Sequence, residues 1–214
     1  MLYYPVFLNL KNKKAVVIGG GSVAERKAQT LLSCNADVSI ISPKITPRLR
    51  RLVKEGKVEY IKKGYEDKDI KDAFIVVAAT NDRGINEAIY KAAERYGCLL
   101  NIVDKPESSN FIVPSVISRG DLTIAISTGG RSPALSKQIR KELQQIYGRE
   151  YEIFIKTMGK IRGALLRSVS SEKARRRIFT KLAKKQSGMI GLLKKGKKME
   201  FYKEIERIAD ISIK

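Results

Sequence analysis

Ala15-Val-Val-Ile-Gly-Gly-Gly-Ser-Val-Ala-Glu-Arg-Lys27 is an apolar strand that breaks on three glycines and restarts as a helix. Val16, Val17 and Ile18 predict a buried parallel strand, and Ala24, Ala28, Leu31 and Leu32 recur at helical spacing after the glycines. Gly19 makes the tight turn, Gly21 lets the backbone approach a pyrophosphate, and Ala24 keeps the helix close to the strand. The first-turn N–H groups, starting at Ser22 and Val23, then face the anion. Glycines after a strand can mark an ordinary turn, but this set lies inside an apparent βαβ unit, which favours dinucleotide binding.

Outward from that turn, Asp37-Val-Ser-Ile-Ile-Ser42 predicts the second strand, ended by Pro43 where a dinucleotide's adenosine ribose lies. An NAD-type fold usually places Asp or Glu here, whereas this chain offers Ser42, Pro43 and Lys44. Lys44 suits a 2′-phosphate or is a solvated loop lysine, so the residues alone leave NAD and NADP both open. A helix over 46–55, a strand over 58–61 and a polar helical turn over 67–72 lead to Ala73-Phe-Ile-Val-Val-Ala-Ala-Thr80, a central strand by length and β-branching. Asn81 and Asp82 cap a helix over 84–96 that Gly97 stops, and a strand follows over 98–103.

Strands alternating with helices in this way give an α/β, Rossmann-like doubly wound parallel sheet over 1–110, with its ligand crevice beyond the carboxyl ends of the strands. Thr80, Asn81, Asn101 and Asp104 fall near one rim of that crevice. Thr80 is the candidate on the cofactor side and Asn101 the candidate on the substrate side. Asp104 is the carboxylate that can take or give a proton, although Asp before Lys-Pro also simply starts turns.

The pattern changes over 111–148. Phe111-Ile-Val-Pro-Ser-Val-Ile117 and Leu122-Thr-Ile-Ala-Ile-Ser127, joined by Ser118-Arg-Gly-Asp121, read as an antiparallel hairpin, and Ser132-Pro133 opens a helix that runs to Tyr147 before Gly148. A hairpin and one helix cannot bury themselves, so this segment either extends the sheet or packs on a second subunit. Its loop Ser127-Thr-Gly-Gly-Arg-Ser-Pro133 brings hydroxyls, N–H groups and Arg131 to a helix N-terminus. That makes Thr128, Gly129 and Arg131 candidate ligands for a substrate carboxylate, the alternative being a capped loop. Residues 149–214 read as a basic helical domain, with Tyr151, Phe154, Ile155 and Met158 on one apolar stripe and Ile178, Leu182 and Ala183 on another. Arg175-Arg-Arg177 and Lys194-Lys-Gly-Lys-Lys198 give it strongly basic faces.

Composition bounds the function. At 43% apolar residues the chain is globular, and no apolar stretch is long enough to cross a bilayer. Met-Leu-Tyr-Tyr-Pro at the start lacks the layout of a secretory leader, so the expected address is the cytoplasm. Cys34 and Cys98, in apolar surroundings, are expected to be small buried thiols with no chemistry, and no metal site is expected. The chain has no histidine, which removes the commonest general base and transition-metal ligand. The net charge is +21, and residues 151–214 alone carry 18 basic against 6 acidic side chains. Such a field draws polyanions, whether nucleic acid, a membrane surface or a polycarboxylate, unless it reflects only a lysine bias of the source.

Taken in order, Tyr4-Pro-Val-Phe, Gly-Gly-Gly-Ser-Val-Ala-Glu-Arg-Lys27, Ala78-Ala-Thr80, Asn101-Ile-Val-Asp104, Phe111-Ile-Val-Pro114 and Ser127-Thr-Gly-Gly-Arg-Ser-Pro133 resemble the precorrin-2 dehydrogenase and sirohydrochlorin ferrochelatase family of siroheme biosynthesis. The resemblance spans residues 1 to about 148, and the rest matches only in being helical. It implies an enzyme that oxidises precorrin-2, a polycarboxylate tetrapyrrole, to sirohydrochlorin with NAD⁺, as a homodimer joined through 111–148. It places Asp104 on the family's catalytic aspartate, Ser22 and Val23 beside Gly21 on NAD, and Pro43 and Lys44 at the adenosine end. Thr128 stands where some members carry a serine near the tetrapyrrole.

Hydride transfer to a nicotinamide with loss of one proton needs only a carboxylate and the cofactor, so the missing histidine is no obstacle. Some members also insert Fe²⁺, which remains an alternative here; others carry a fused methyltransferase, which is not expected within these 214 residues. A basic tail on a dinucleotide domain also describes a nucleotide-sensing regulator that binds nucleic acid. The tail, however, has no aromatic platform, zinc signature or obvious recognition helix.

Overall fold

The computed structural model describes residues 3–211; Met1 and Leu2, which open the segment read for a leader, and 212–214 of the helical tail lie outside the described residues. The chain divides into two compact units, one ending at Val113 and the other beginning at Pro114.

The first unit alternates strand and helix: β1 (Lys14–Ile18), α1 (Ser22–Ser33), β2 (Asp37–Ile41), α2 (Pro47–Lys54), β3 (Glu59–Ile61), a 3₁₀ turn (Asp67–Ile70), β4 (Ile75–Ala78), α3 (Arg83–Tyr96), β5 (Leu99–Ile102) and a second 3₁₀ turn (Pro106–Ser108). Its five strands are parallel in the order β3-β2-β1-β4-β5. β1 pairs with β2 on one side, Ile18 against Ile41, and with β4 on the other, Ile18 against Ala78. The order therefore reverses between β1 and β4, where a doubly wound sheet opens its crevice.

Because alternate residues of a strand face opposite ways, β1 feeds two cores. Ala15 and Val17 pack with Ala24, Ala28 and Leu31 of α1 and Leu49 of α2. Val16 and Ile18 pack with Ile89, Ala92 and Ala93 of α3. Helix ends follow the sequence signals: the Asp82 carboxylate accepts from Ile85 N at 3.0 Å, and Gly97 closes α3 in the left-handed conformation at φ +70°.

The second unit holds β6 (Ser115–Arg119), β7 (Leu122–Ile126), α4 (Pro133–Ile146), α5 (Glu150–Ser168), α6 (Glu172–Lys184), α7 (Gln186–Lys194) and α8 (Lys198–Ala209). β6 and β7 are antiparallel, with Val116 opposite Ala125, and form a two-stranded sheet of their own. Their turn is tighter than the sequence suggests, because Gly120 at φ +60° lets Gly120-Asp121 close the hairpin alone. Helices α5 to α8 enclose a third core built on Phe154, Ile161, Leu165, Leu182, Met189, Phe201 and Ile205.

Three expectations need correction. The first hairpin strand starts at Ser115, not Phe111: the Phe111 side chain packs on the first unit's core, and Pro114 has no N–H to give a ladder. Ala183 is exposed, leaving Ile178 and Leu182 to face the helical core. Cys34 is exposed at the C-terminal end of α1, and only Cys98 is buried. Burial pushes the Cys98 thiol above its ordinary value, and its Sγ donates to the Ile70 carbonyl at 3.3 Å. A soluble alkylating reagent is therefore expected to label Cys34 in the native protein and Cys98 only on unfolding. Equal native labelling, read by mass spectrometry, would contradict that placement.

Candidate functional site

The glycine turn lies at the β1/β4 switch point. Gly19 has φ +118°, its N–H donates to the Ile41 carbonyl at 2.9 Å, and a Cβ there would run into the Ala79 carbonyl. Gly21 is the N-cap of α1, in extended conformation with no side-chain cap on the helix, and nothing lies within 4 Å of a Cβ built on it. Open space over uncapped first-turn N–H groups, starting at Ser22 and Val23, suits a pyrophosphate.

Gly20, to which the sequence pattern assigns nothing, lies against the Lys44 carbonyl, where any Cβ would collide. The only signal for it was a third glycine in a motif that needs two. It lets the β2–α2 loop fold over the turn, where Thr46 N donates to the Gly20 carbonyl at 3.0 Å and Thr46 Oγ1 donates to Glu25 at 2.7 Å. Within that loop Ser42 is buried and its hydroxyl donates to the Lys44 carbonyl at 2.7 Å, whereas Pro43 and Lys44 are exposed. No acidic side chain ends β2, as the sequence indicated.

Across the crevice, Thr80 follows β4, its Oγ1 accepting from Asp82 N and its carbonyl from Asn86 Nδ2 at 3.1 Å. Asn101 on β5 is 8% exposed and its Nδ2 donates to the Phe111 carbonyl at 3.2 Å. Asp104 is exposed just past β5 at φ +61°, a left-handed conformation that Asp and Asn tolerate better than most residues. The chain after it is stitched back to β5. Ser109 Oγ donates to the Lys105 carbonyl at 2.8 Å and accepts from Ile102 N at 2.9 Å, while Asn110 Oδ1 accepts from Leu100 N at 2.7 Å.

Lys27 is a member that sequence reasoning missed. It is half-buried on α1, and its Nζ donates to Asn101 Oδ1 at 3.4 Å. Burial first, and then the charge of Arg26, hold the ammonium below the ordinary lysine value, with the Asp104 carboxylate partly opposing them. On the other face of the sheet a cleft of about 320 Å³ is lined by Arg83, Asn86, Tyr90, Ile102, Lys105 and Ser108, among others, and by none of the residues singled out from sequence.

In the second unit, the Thr128 loop uses much of its own polarity. Ser127 Oγ accepts from Gly129 N and Thr128 Oγ1 from Ser132 N, each at 3.0 Å, and Ser132 Oγ caps α4 through Leu135 N at 3.3 Å. The N–H groups expected to be free for a ligand are partly engaged, and Arg131 stands exposed beside Gly129 and Gly130.

Comparison with known proteins gives a consistent picture. Residues 6–115, just over half of the chain, match a family described as putative NAD(P)-binding, and 119–146 match one described as sirohaem biosynthesis protein central. Siroheme synthase 1 of Aeromonas salmonicida is 35% identical over 182 residues, which cover 85% of this chain and 39% of that protein. The siroheme synthase of Mannheimia succiniciproducens is 33% identical over 204 residues, covering 95% and 42%. The chain thus spans about two fifths of the length of these relatives. Among solved structures, SirC, a precorrin-2 dehydrogenase, superposes with a TM-score of 0.79 at 27% identity, over 96% of this chain and all of that one.

Proposed function

The chain belongs to the siroheme synthase and precorrin-2 dehydrogenase family, and from that premise we propose that it oxidises precorrin-2 to sirohydrochlorin with NAD⁺. One observation carries the reading beyond family: an uncapped glycine turn at the switch point and an exposed carboxylate past β5 stand at the carboxyl ends of the same parallel sheet. Bound NAD⁺ supplies the hydride acceptor.

The chain supplies the rest. Gly19 and Gly20 shape the turn, and Gly21, Ser22 and Val23 present backbone N–H groups to the pyrophosphate. Ser42, Pro43 and Lys44 border the adenosine end, with Ser42 acting through the shape of its loop, and Thr80 lies toward the nicotinamide. Asp104 receives the proton that leaves the macrocycle and Asn101 orients the ring. In the second unit, taken by itself, the exposed Arg131 beside Gly129, with the Thr128 hydroxyl, suits a carboxylate of such a substrate. The basic excess of the chain favours approach of such a polyanion.

A homodimer through the hairpin and α4 is supported by the apolar side chains they expose: Val116 at 41%, Leu135 at 51% and Ile146 at 57%. Among the described residues no helix is long and apolar enough to cross a membrane.

Anaerobic incubation with precorrin-2 and NAD⁺ is expected to yield one NADH per sirohydrochlorin, followed by absorbance, with NADP⁺ the slower acceptor. No NADH from a protein that binds NAD⁺ and precorrin-2 would overturn the reading.

A further inference from the structure

We propose that Lys27 is a positioning residue of the dehydrogenase site: from α1 its ammonium holds the Asn101 amide in one orientation and sets a positive charge beside Asp104. The proposal rests on the reading of Asn101 and Asp104 as that site.

A lysine on a helix normally leaves its charged end in water. Lys27 instead is half-buried and reaches β5, the strand beyond β4, where its Nζ meets Asn101 Oδ1. The amide is then held at both ends, its oxygen by Lys27 and its nitrogen by the Phe111 carbonyl. An amide fixed in this way presents one face, which a freely turning amide would not. The charged groups acting on Lys27 are Arg26 on its own helix, which disfavours the ammonium, and Asp104 past β5, which favours it. Burial outweighs Asp104, so the cation is kept at a cost in solvation.

Lys27→Met keeps the aliphatic stem and removes the charge. Turnover is expected to fall about 10- to 100-fold, as when reacting groups lose their alignment, with NADH affinity unchanged because the glycine turn is untouched. Lys27→Arg should recover most of the rate. The wild-type rate should decline on the alkaline side below the ordinary lysine value of 10.5, as the ammonium deprotonates. Lys27→Arg should lose that limb, because arginine stays charged.

A second reading needs no turnover. In protein with ¹³Cε-labelled lysines, the Lys27 signal, assigned by its loss in Lys27→Arg, should titrate at lower pH once Asp104→Asn removes the supporting charge. Wild-type turnover in Lys27→Met, or a Lys27 titration indifferent to Asp104→Asn, would overturn the proposal. An intact coupling in a protein that does not oxidise precorrin-2 would support the pairing and count against the dehydrogenase reading instead.

Discussion

Asp104→Asn is expected to slow precorrin-2 oxidation about 100- to 10,000-fold, the usual range for loss of a general base, while NADH binding and thermal stability stay close to wild type. Asparagine is the informative replacement because of the backbone. Residue 104 sits at φ +61°, where Asp and Asn are tolerated and most other side chains cost about 1–2 kcal/mol. Asp104→Ala would therefore mix loss of the carboxylate with strain in a turn that Ser109 fastens to β5. The amide keeps the volume and the turn and removes only the capacity to take up a proton. Single-turnover rates with saturating NAD⁺ isolate that step. An Asp104→Asn variant with the full rate would mean that the proton leaves by another route.

The glycine turn gives the second large effect, and its three positions should behave differently. Gly19→Ala puts a Cβ into the Ala79 carbonyl at φ +118°, and Gly20→Ala puts one into the Lys44 carbonyl. Each is expected to destabilise the first unit by about 3 kcal/mol or more, Gly19→Ala from backbone strain and overpacking together and Gly20→Ala from overpacking against backbone alone, and to abolish NADH binding with it. Gly21→Ala meets nothing within 4 Å and has φ −82°. Its melting temperature should hold, whereas NADH affinity should drop about tenfold or more, because the added methyl stands where a pyrophosphate approaches the backbone. Thermal melts and NADH fluorescence titrations of the three variants separate fold from cradle. A Gly21→Ala variant with undiminished NADH affinity would remove the pyrophosphate from that spot.

Legibility in the sequence followed the range of the interactions. Strand β1, the glycines and α1 could be read because burial period and turn chemistry are local properties of consecutive residues. The Asp82 cap and the Gly97 stop were readable for the same reason. Asn101 and Asp104 could be placed on a rim because parallel strands all end on one side of a doubly wound sheet.

Lys27 could not be placed this way. Its role depends on α1 lying over β4 toward β5, which brings residues 74 positions apart within hydrogen-bond reach. The Thr128 loop misled for a local reason: its hydroxyls compete for the N–H groups that were expected to be free for a ligand. Phe111 belongs to the first core and not to the hairpin because Pro114, three residues later, interrupts any ladder between them. Apolar surroundings in the sequence suggest burial of Cys34, yet it closes a helix whose end faces water.

The stitching of residues 109–110 onto β5 carries a consequence for aggregation. β5 ends the sheet, and an unpaired outer edge would invite a strand from another chain. Here the outward groups are taken: Asn110 holds Cys98 O, Leu100 N and Leu100 O, and Ser109 holds Ile102 N and Ile102 O. Two short polar side chains and the Asn110 backbone N–H do the work of a sixth strand, in the segment that follows the Asp104 turn. Damage at Ser109 or Asn110 would therefore loosen the site and expose an adhesive edge together, so loss of activity and loss of solubility should arise at the same positions.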